Sequence, residues 1–340
     1  MNSEAPEFRL NEFHAWYIKH IEQVDRDTFA VARLTGGRSN LTYVVRAGSR
    51  EVVVRRPPQG QLLATAHDMD RERMVLSSLA GSGVPVPRVL GWDQEATVLG
   101  APFFVMEKMP GESYRQATDL TTRSEKAVQT MSGQMVDVLA QIHGVDVAEV
   151  GLTNFGRPTG FLERQVRRWG AQLDASHTRN LAGLDQLRSQ LTDASPPQRP
   201  GAIVHGDYRL DNLLIYDTTV TAVLDWEMAT IGDPASDLAL LVVYQYLARI
   251  APSGSVPDAS NAPGFLSPAD VLSRYADAGG DVPPDLSFHL GLATYKLVGI
   301  LEGIHKRHID GATVGTGFET IGDCVEPLIA IGLDLMKEAT

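Results

Sequence analysis

The stretch His205–Trp226 reads HGDYRLDNLLIYDTTVTAVLDW, and its interpretation decides the fold. Apolar, β-prone residues flank the polar run HGDYRLDN, with AIV before it and LLIY after it. A carboxylate left unpaired between buried strands is very costly, so these side chains either satisfy one another or face a ligand. Further on, NLLIY and VTAVL are β-prone runs separated by DTT, which predicts a hairpin. A turn centred on Thr218 folds the second strand back on the first and sets Asn212 near Leu224 and Asp225. Asp207, Asn212 and Asp225 are then expected at one end of the ribbon. Carboxylates and an amide oxygen are hard donors that suit Mg²⁺, which keeps several waters and takes substrate phosphates as further ligands.

Working outward, the first 108 residues predict a sheet-rich lobe. FRLNEFHAWYIKHI from Phe8 has helical apolar spacing. FAVARL and LTYVVRA read as strands around the Gly-rich TGGRSN, and REVVVRRPP as a third strand stopped by Pro57 and Pro58. HDMDRERMVLSSLAGSG reads as a helix ended by Gly81, followed by strands in RVLGWD and PFFVMEKM. After MPGES the pattern becomes helical to the C-terminus, apart from the opening segment and the loop APSGSVPDASNAPG, whose composition predicts mobility. The expected organisation is α+β: an N-terminal lobe over residues 1–108 and a larger, mainly helical lobe over 109–340. A cleft between two lobes is a usual place for a ligand.

Composition narrows the function classes. The chain has 340 residues and a net charge of −12, from 30 basic and 42 acidic side chains. That balance argues against nucleic acid held through phosphates and against docking on anionic membrane. Cys324 is the single cysteine, so no intrachain disulfide forms and a reducing compartment is expected. The start MNSEAPEFRL does not resemble a signal peptide, and LALLVVYQYLA is too short to span a bilayer and predicts a core helix. A cytoplasmic protein is expected, with no expectation about its oligomeric state.

HxDxxxxN followed by a strand hairpin and Asp resembles the catalytic segment of eukaryotic-type kinases. The form HGDYRLDNLL…AVLDWEMATIGDPASDLA resembles the aminoglycoside phosphotransferase and choline kinase-like family, with its bilobal protein kinase-like fold of a small antiparallel-sheet lobe and a larger helical lobe. It is most similar to members related to the kinase-like domain fused to acyl-CoA dehydrogenases. The resemblance runs from about Leu34 to about Ile309. It implies that Asp207 is the catalytic base and that Asn212 and Asp225 hold magnesium against the phosphates of ATP. Arg209 would stabilise the transferred phosphoryl group, or else pair with Asp211. His205 would brace the loop. Asp237 would accept backbone N–H groups of that loop or cap the helix that follows, and Asp233 would serve a turn.

In the N-terminal lobe TGGRSN resembles the family's phosphate-covering loop, with Gly36 and Gly37 allowing close approach and N–H groups near Ser39 and Asn40 meeting phosphate. Arg55 stands where kinases carry the ATP lysine, a departure from the pattern, and Glu72 is its expected partner. FVMEKMPG matches the hinge, so backbone groups of Glu107 and Met109 would bind the adenine edge. The implied activity is transfer of the γ-phosphate of ATP to a hydroxyl of a small molecule, with ATP and Mg²⁺ as cofactors. Fold ancestry does not select the acceptor, and a hydroxylated metabolite, including a hydroxyacyl thioester, is preferred over an antibiotic. Lys296, His305, Lys306 and Arg307 are either anion anchors or a solvated basic face. Glu319, Asp323, Glu326 and Asp334 are the carboxylates available to a cationic acceptor. Two other classes stay open: a nucleotide-binding pseudokinase or interaction module without turnover, and a metal-dependent hydrolase.

Overall fold

A computed structural model describes residues 8–34, 40–58, 69–313 and 317–337. The chain divides into two compact units, and the division is not a single cut. The first unit is Met1–Gly111 together with Thr221–Ala229, and the second is Glu112–Val220 together with Thr230–Thr340.

In the first unit, β1 (Phe29–Leu34), β2 (Leu41–Ala47), β3 (Arg50–Arg56), β4 (Val89–Asp93) and β5 (Phe103–Glu107) form an antiparallel sheet in the order β1-β2-β3-β5-β4. Alternation along the strands decides its two faces. Val52 and Val54 of β3, with Tyr43, Val45, Phe103 and Val105, join an aromatic-rich core. Helix α1 (Leu10–His20) supplies Phe13 and Tyr17 to that core, with Phe13 5.5 Å from the ring of Phe103 and Tyr17 5.2 Å from that of Phe29. Arg55 has the opposite parity to Val54 and projects from the other face. Helix α2 (Met69–Leu79) buries Glu72, Val75, Leu76 and Leu79 along one stripe, so Glu72 sits on the apolar face of its helix.

The second unit is built on α3 (Glu125–His143), α4 (Phe161–Ser176), α5 (Leu184–Asp193), α6 (Ala235–Ile250), α7 (Pro268–Asp277), α8 (Leu286–Ile309) and α9 (Val325–Lys337). Most residues of α8 from Phe288 to Gly303 are buried, as expected of a helix surrounded by others. Short strands β6 (Ala202–Val204) and β9 (Thr230–Gly232) pair antiparallel, and β7 (Leu213–Tyr216) pairs with β8 (Thr219–Val223) as the predicted ribbon, with the residues of β8 from Thr221 onward counted in the first unit. The turn of that ribbon has Asp217 at φ +59°, a left-handed conformation that Asp tolerates better than most residues. The loop expected to be mobile is instead tied down. The N–H groups of Asp258 and Ala259 donate to Arg115 O at 3.0 and 3.2 Å, and Asn261 Nδ2 donates to Ala248 O at 2.8 Å. Among the described residues no helix is long and apolar enough to cross a membrane.

Candidate active-site clusters

The segment His205–Asn212 leaves β6 and is held from beneath by α6. Asp237, in the first turn of α6, accepts from His205 N at 2.6 Å and from Gly206 N at 2.8 Å. It is the supporting carboxylate of the loop, and the residue at the cap position of α6 is Pro234. Burial raises the Asp237 carboxyl, but His143, His205 and the Gly206 N–H outweigh burial and hold it below the ordinary range. Gly206 has φ +85°, a left-handed turn that glycine adopts without a steric penalty. His205 is fully buried and its Nδ1 accepts from Asp207 N at 3.2 Å, the bracing role expected of it. Asp233 accepts from Ala235 N at 3.0 Å and faces His289 Nε2 at 3.1 Å, as a turn residue would.

These constraints present the Asp207 carboxylate with a quarter of its side chain exposed, so it remains within reach of a ligand. Asn212 Nδ2 donates to Asp207 O at 2.8 Å and to Asp207 Oδ2 at 3.2 Å, which turns Asn212 Oδ1 away from the pair. Tyr244 donates its hydroxyl to Asp207 Oδ1 at 2.5 Å. Arg209 lies 3.3 Å from Asp207 Oδ2 and 3.1 Å from Asp211 Oδ1, with its guanidinium over the Tyr244 ring. Of the two roles that the sequence set as alternatives, the structure contains the pairing with Asp211. Burial pushes the Asp207 carboxyl up, yet Arg209, the Tyr244 hydroxyl, Lys296 and His205 together hold it below the usual carboxylate range.

Tyr244 and Lys296 lie inside apolar helical runs. Tyr244 follows Asp237 by seven residues on α6, which places both on one helix face. Lys296 of α8 donates to Gly206 O and stands 5.6 Å from the centre of the Trp169 ring. Burial depresses its ammonium, opposed by Asp207 and Asp237. Lys296 is thus neither solvated nor part of an exposed basic face. Lys306 is, pairing with Asp310 one turn along the helix at 2.8 Å. Three of the C-terminal carboxylates have protein partners: Glu326 accepts from Ala182 N, Glu319 from Gly317 N, and Asp334 pairs with Lys337. Cys324 is buried, and burial raises its thiol.

The first unit holds a second cluster. Arg55 Nη1 lies 3.2 Å from Glu72 Oε1, and Arg55 Nη2 lies 3.2 Å from Asp225 Oδ1. Burial works against the Arg55 charge, but Glu72 and Asp225 prevail and raise its pKa. Glu72 is pushed up to about 7, chiefly by burial, with Asp225 and Glu227 adding repulsion and Arg55 opposing. Asp225 has φ +66°, an uncommon left-handed conformation for a residue other than glycine. Buried Asn40 donates weakly to Glu227 Oε2 at 3.5 Å, and its Oδ1 has no hydrogen-bond partner among the described residues. Glu107 donates its N–H to Arg88 O at 3.0 Å, and its carboxylate accepts from Arg88 and Arg50. Met109 is half-buried. Gly36, Gly37 and Ser39 lie outside the described residues.

Comparison with known proteins defines the class. Residues 30–283 match the model of the phosphotransferase enzyme family, and the chain belongs to that family. It is 32% identical over 343 residues to acyl-CoA dehydrogenase family member 11 of Mus musculus, a match covering 97% of this chain and 43% of that protein. The chain thus spans less than half the length of that relative. A crystal structure from Ralstonia eutropha, described provisionally as an aminoglycoside phosphotransferase, superposes with a TM-score of 0.84 at 29% identity, covering 98% of this chain and 99% of the other. A thermostable mutant of aminoglycoside phosphotransferase APH(4)-Ia, solved as a ternary complex with AMP-PNP and hygromycin B, shares the fold with a TM-score of 0.60 at 15% identity, covering 96% and 98%. The α+β architecture, with its antiparallel sheet and helical part, is that of the kinase-like aminoglycoside phosphotransferases.

Proposed function

We propose that the chain is a magnesium-dependent phosphotransferase that moves the γ-phosphate of ATP to a hydroxyl of a small molecule. The observation that carries this reading is Asp207: a reachable carboxylate kept ionised by Arg209, Tyr244 and Lys296, beside an asparagine whose amide nitrogen donates to it. Such a group orients the acceptor hydroxyl and takes its proton. Arg209 meets the developing negative charge on the transferred phosphoryl group. Arg55, fixed by Glu72, pairs with nucleotide phosphate. Gly36, Gly37, Ser39 and Asn40 cover the phosphates, and backbone groups at Glu107 and Met109 meet the adenine edge. In this reading residues 1–108 serve the nucleotide and 109–340 the chemistry and the acceptor.

The donor chemistry suits magnesium. No group of three His, Cys, Asp or Glu side chains among the described residues forms a metal cage. Mg²⁺ needs none, since one or two protein oxygens with phosphates and waters complete its shell. Asn212 and Asp225 would hold it, and when bound it neutralises charge on the transferring phosphates. The acceptor is a hydroxylated metabolite, and the likeness to acyl-CoA dehydrogenase family members favours a hydroxyacyl thioester.

One observation favours nucleotide binding without turnover: Arg55 already occupies Asp225 Oδ1. ADP release decides between the two. Hydroxylated metabolites, hydroxyacyl thioesters and aminoglycosides are screened with Mg·ATP. The expected result is release that depends on one acceptor class and vanishes in Asp207→Ala. Binding of Mg·ATP with no release for any acceptor would leave the binding module.

A further inference from the structure

Beside the Asp207 cluster, and wholly within the second unit, a narrow cleft is lined by Tyr114, Met135, Leu210, Leu241, Pro257, Ala259 and Phe265. Its polar lining is Arg115, Arg209, Asp211, Tyr244, Gln245 and Ser260. One wall is Leu241 and Gln245, a turn apart on α6. Another is the segment pinned by the hydrogen bonds of Asp258, Ala259 and Asn261, so the cleft is preformed.

Two features of the lining specify an occupant. First, Gln245 is 2% exposed, yet its Nε2 has no hydrogen-bond partner among the described residues. A buried donor without an acceptor is costly, and in a native structure it calls for an oxygen supplied from outside. Second, the mouth offers no spare negative charge. Asp211 is paired with both Arg115, at 3.3 Å, and Arg209, at 3.1 Å. A polycationic amino-sugar would have to break those pairs to gain a carboxylate. An apolar chain loses nothing there and gains by leaving water.

We propose that this cleft seats the non-reacting part of the acceptor, an uncharged, mainly apolar chain bearing one oxygen that accepts from Gln245 Nε2. The assignment rests on the phosphotransferase reading. Tyr244, which lines the cleft and donates to Asp207, links the seated chain to the reacting carboxylate. Gln245 thereby becomes a specificity determinant: a site built to hydrogen-bond an oxygen rejects the analogue lacking it.

The test measures binding without nucleotide, by titration and saturation-transfer NMR on the whole chain. The probes are methyl hydroxyalkanoates of increasing length, matched alkanols lacking the ester oxygens, and an aminoglycoside. Esters are expected to bind more tightly as the chain lengthens and about tenfold more tightly than matched alkanols. Gln245→Leu is expected to erase the ester–alkanol difference while keeping the length dependence. Ser260→Phe, which fills the cleft from its half-buried rim, is expected to weaken both series. It also provides the test if Gln245→Leu does not fold. Equal binding of ester and alkanol, binding indifferent to Ser260→Phe, or a crystal with ester in which only water meets Gln245 would overturn the assignment. ADP release measured in parallel separates the two readings. Ester binding without release removes the phosphotransferase and leaves the cleft, whereas release insensitive to both variants removes the cleft alone.

Discussion

Each unit holds a carboxylate against an arginine, and the two are tuned in opposite directions. In the second unit Asp207 receives a hydroxyl, a guanidinium and the field of a buried ammonium, and these overcome burial to keep it charged. In the first unit Glu72 has one arginine, shared with Asp225, and a backbone hydrogen bond from Trp226 against two repelling carboxylates, so burial prevails and its pKa rises to about 7. The difference lies in the count of donors per carboxylate, because a buried charge persists only where its partners outnumber its repellers. Asp207 is thereby kept ionised at neutral pH and free to accept the hydrogen bond of an acceptor hydroxyl, while Glu72 is the more readily protonated of the two.

The largest expected effect strikes the charged member. Asp207→Ala is expected to lower turnover by about 10³-fold or more, the range of a lost general base, while Mg·ATP binding changes little. Pre-steady-state kinetics beside a nucleotide titration measures both. Equal loss of binding and turnover would make Asp207 structural and erase its contrast with Glu72.

Next comes Asp225→Ala. Loss of a metal-holding carboxylate is expected to weaken magnesium-supported nucleotide binding by about 100-fold. It also releases one of the two partners of Arg55. Calorimetry with and without magnesium distinguishes these consequences, since the metal-dependent part of the affinity should vanish. An unchanged affinity would restrict Asp225 to anchoring Arg55.

Tyr244→Phe sharpens the account of Asp207. The Tyr244 hydroxyl favours the ionised carboxylate, so its removal raises the Asp207 pKa. The acid limb of kcat/KM is expected to move to higher pH, with kcat reduced about tenfold. A uniform loss at every pH would point to packing alone.

Much of this architecture was legible because strands and helices announce themselves by the period at which they bury side chains. The hairpin of β7 and β8 was readable from two β-prone runs and a short turn. Arg55 and Glu72 were readable as partners only through the family resemblance, which set Arg55 at the place of the kinase lysine and left Glu72 of the neighbouring helix as its candidate partner. Tyr244 and Gln245 were not, and Lys296 was readable only as a basic residue, without its partners. They sit in apolar helical runs, where periodicity reports that a residue is buried and says nothing of what its polar tip meets. The loop after α6 was misread as mobile for a related reason. Its order comes from backbone hydrogen bonds to Arg115 and Ala248, which leave no mark on composition. The left-handed backbone of Asp225 was equally hidden, because most residues in that region of φ are glycine.

The smallest effect tests the other half of the contrast. Glu72 has a folded pKa of about 7 against an ordinary value of 4.5. The folded state therefore binds more protons than the unfolded state between those values, and stability falls as pH rises. The contribution is complete below the unfolded pKa and is lost by the folded one. With EDTA present and no nucleotide, the melting temperature is expected to decline by a few degrees across that window. Glu72→Gln cannot ionise and should flatten the slope, leaving Arg55 to rely on Asp225. If the variant keeps the wild-type slope, another group supplies it. If the wild type shows no decline, Arg55 stabilises the Glu72 carboxylate as fully as the donors around Asp207 stabilise theirs, and the two units are tuned alike.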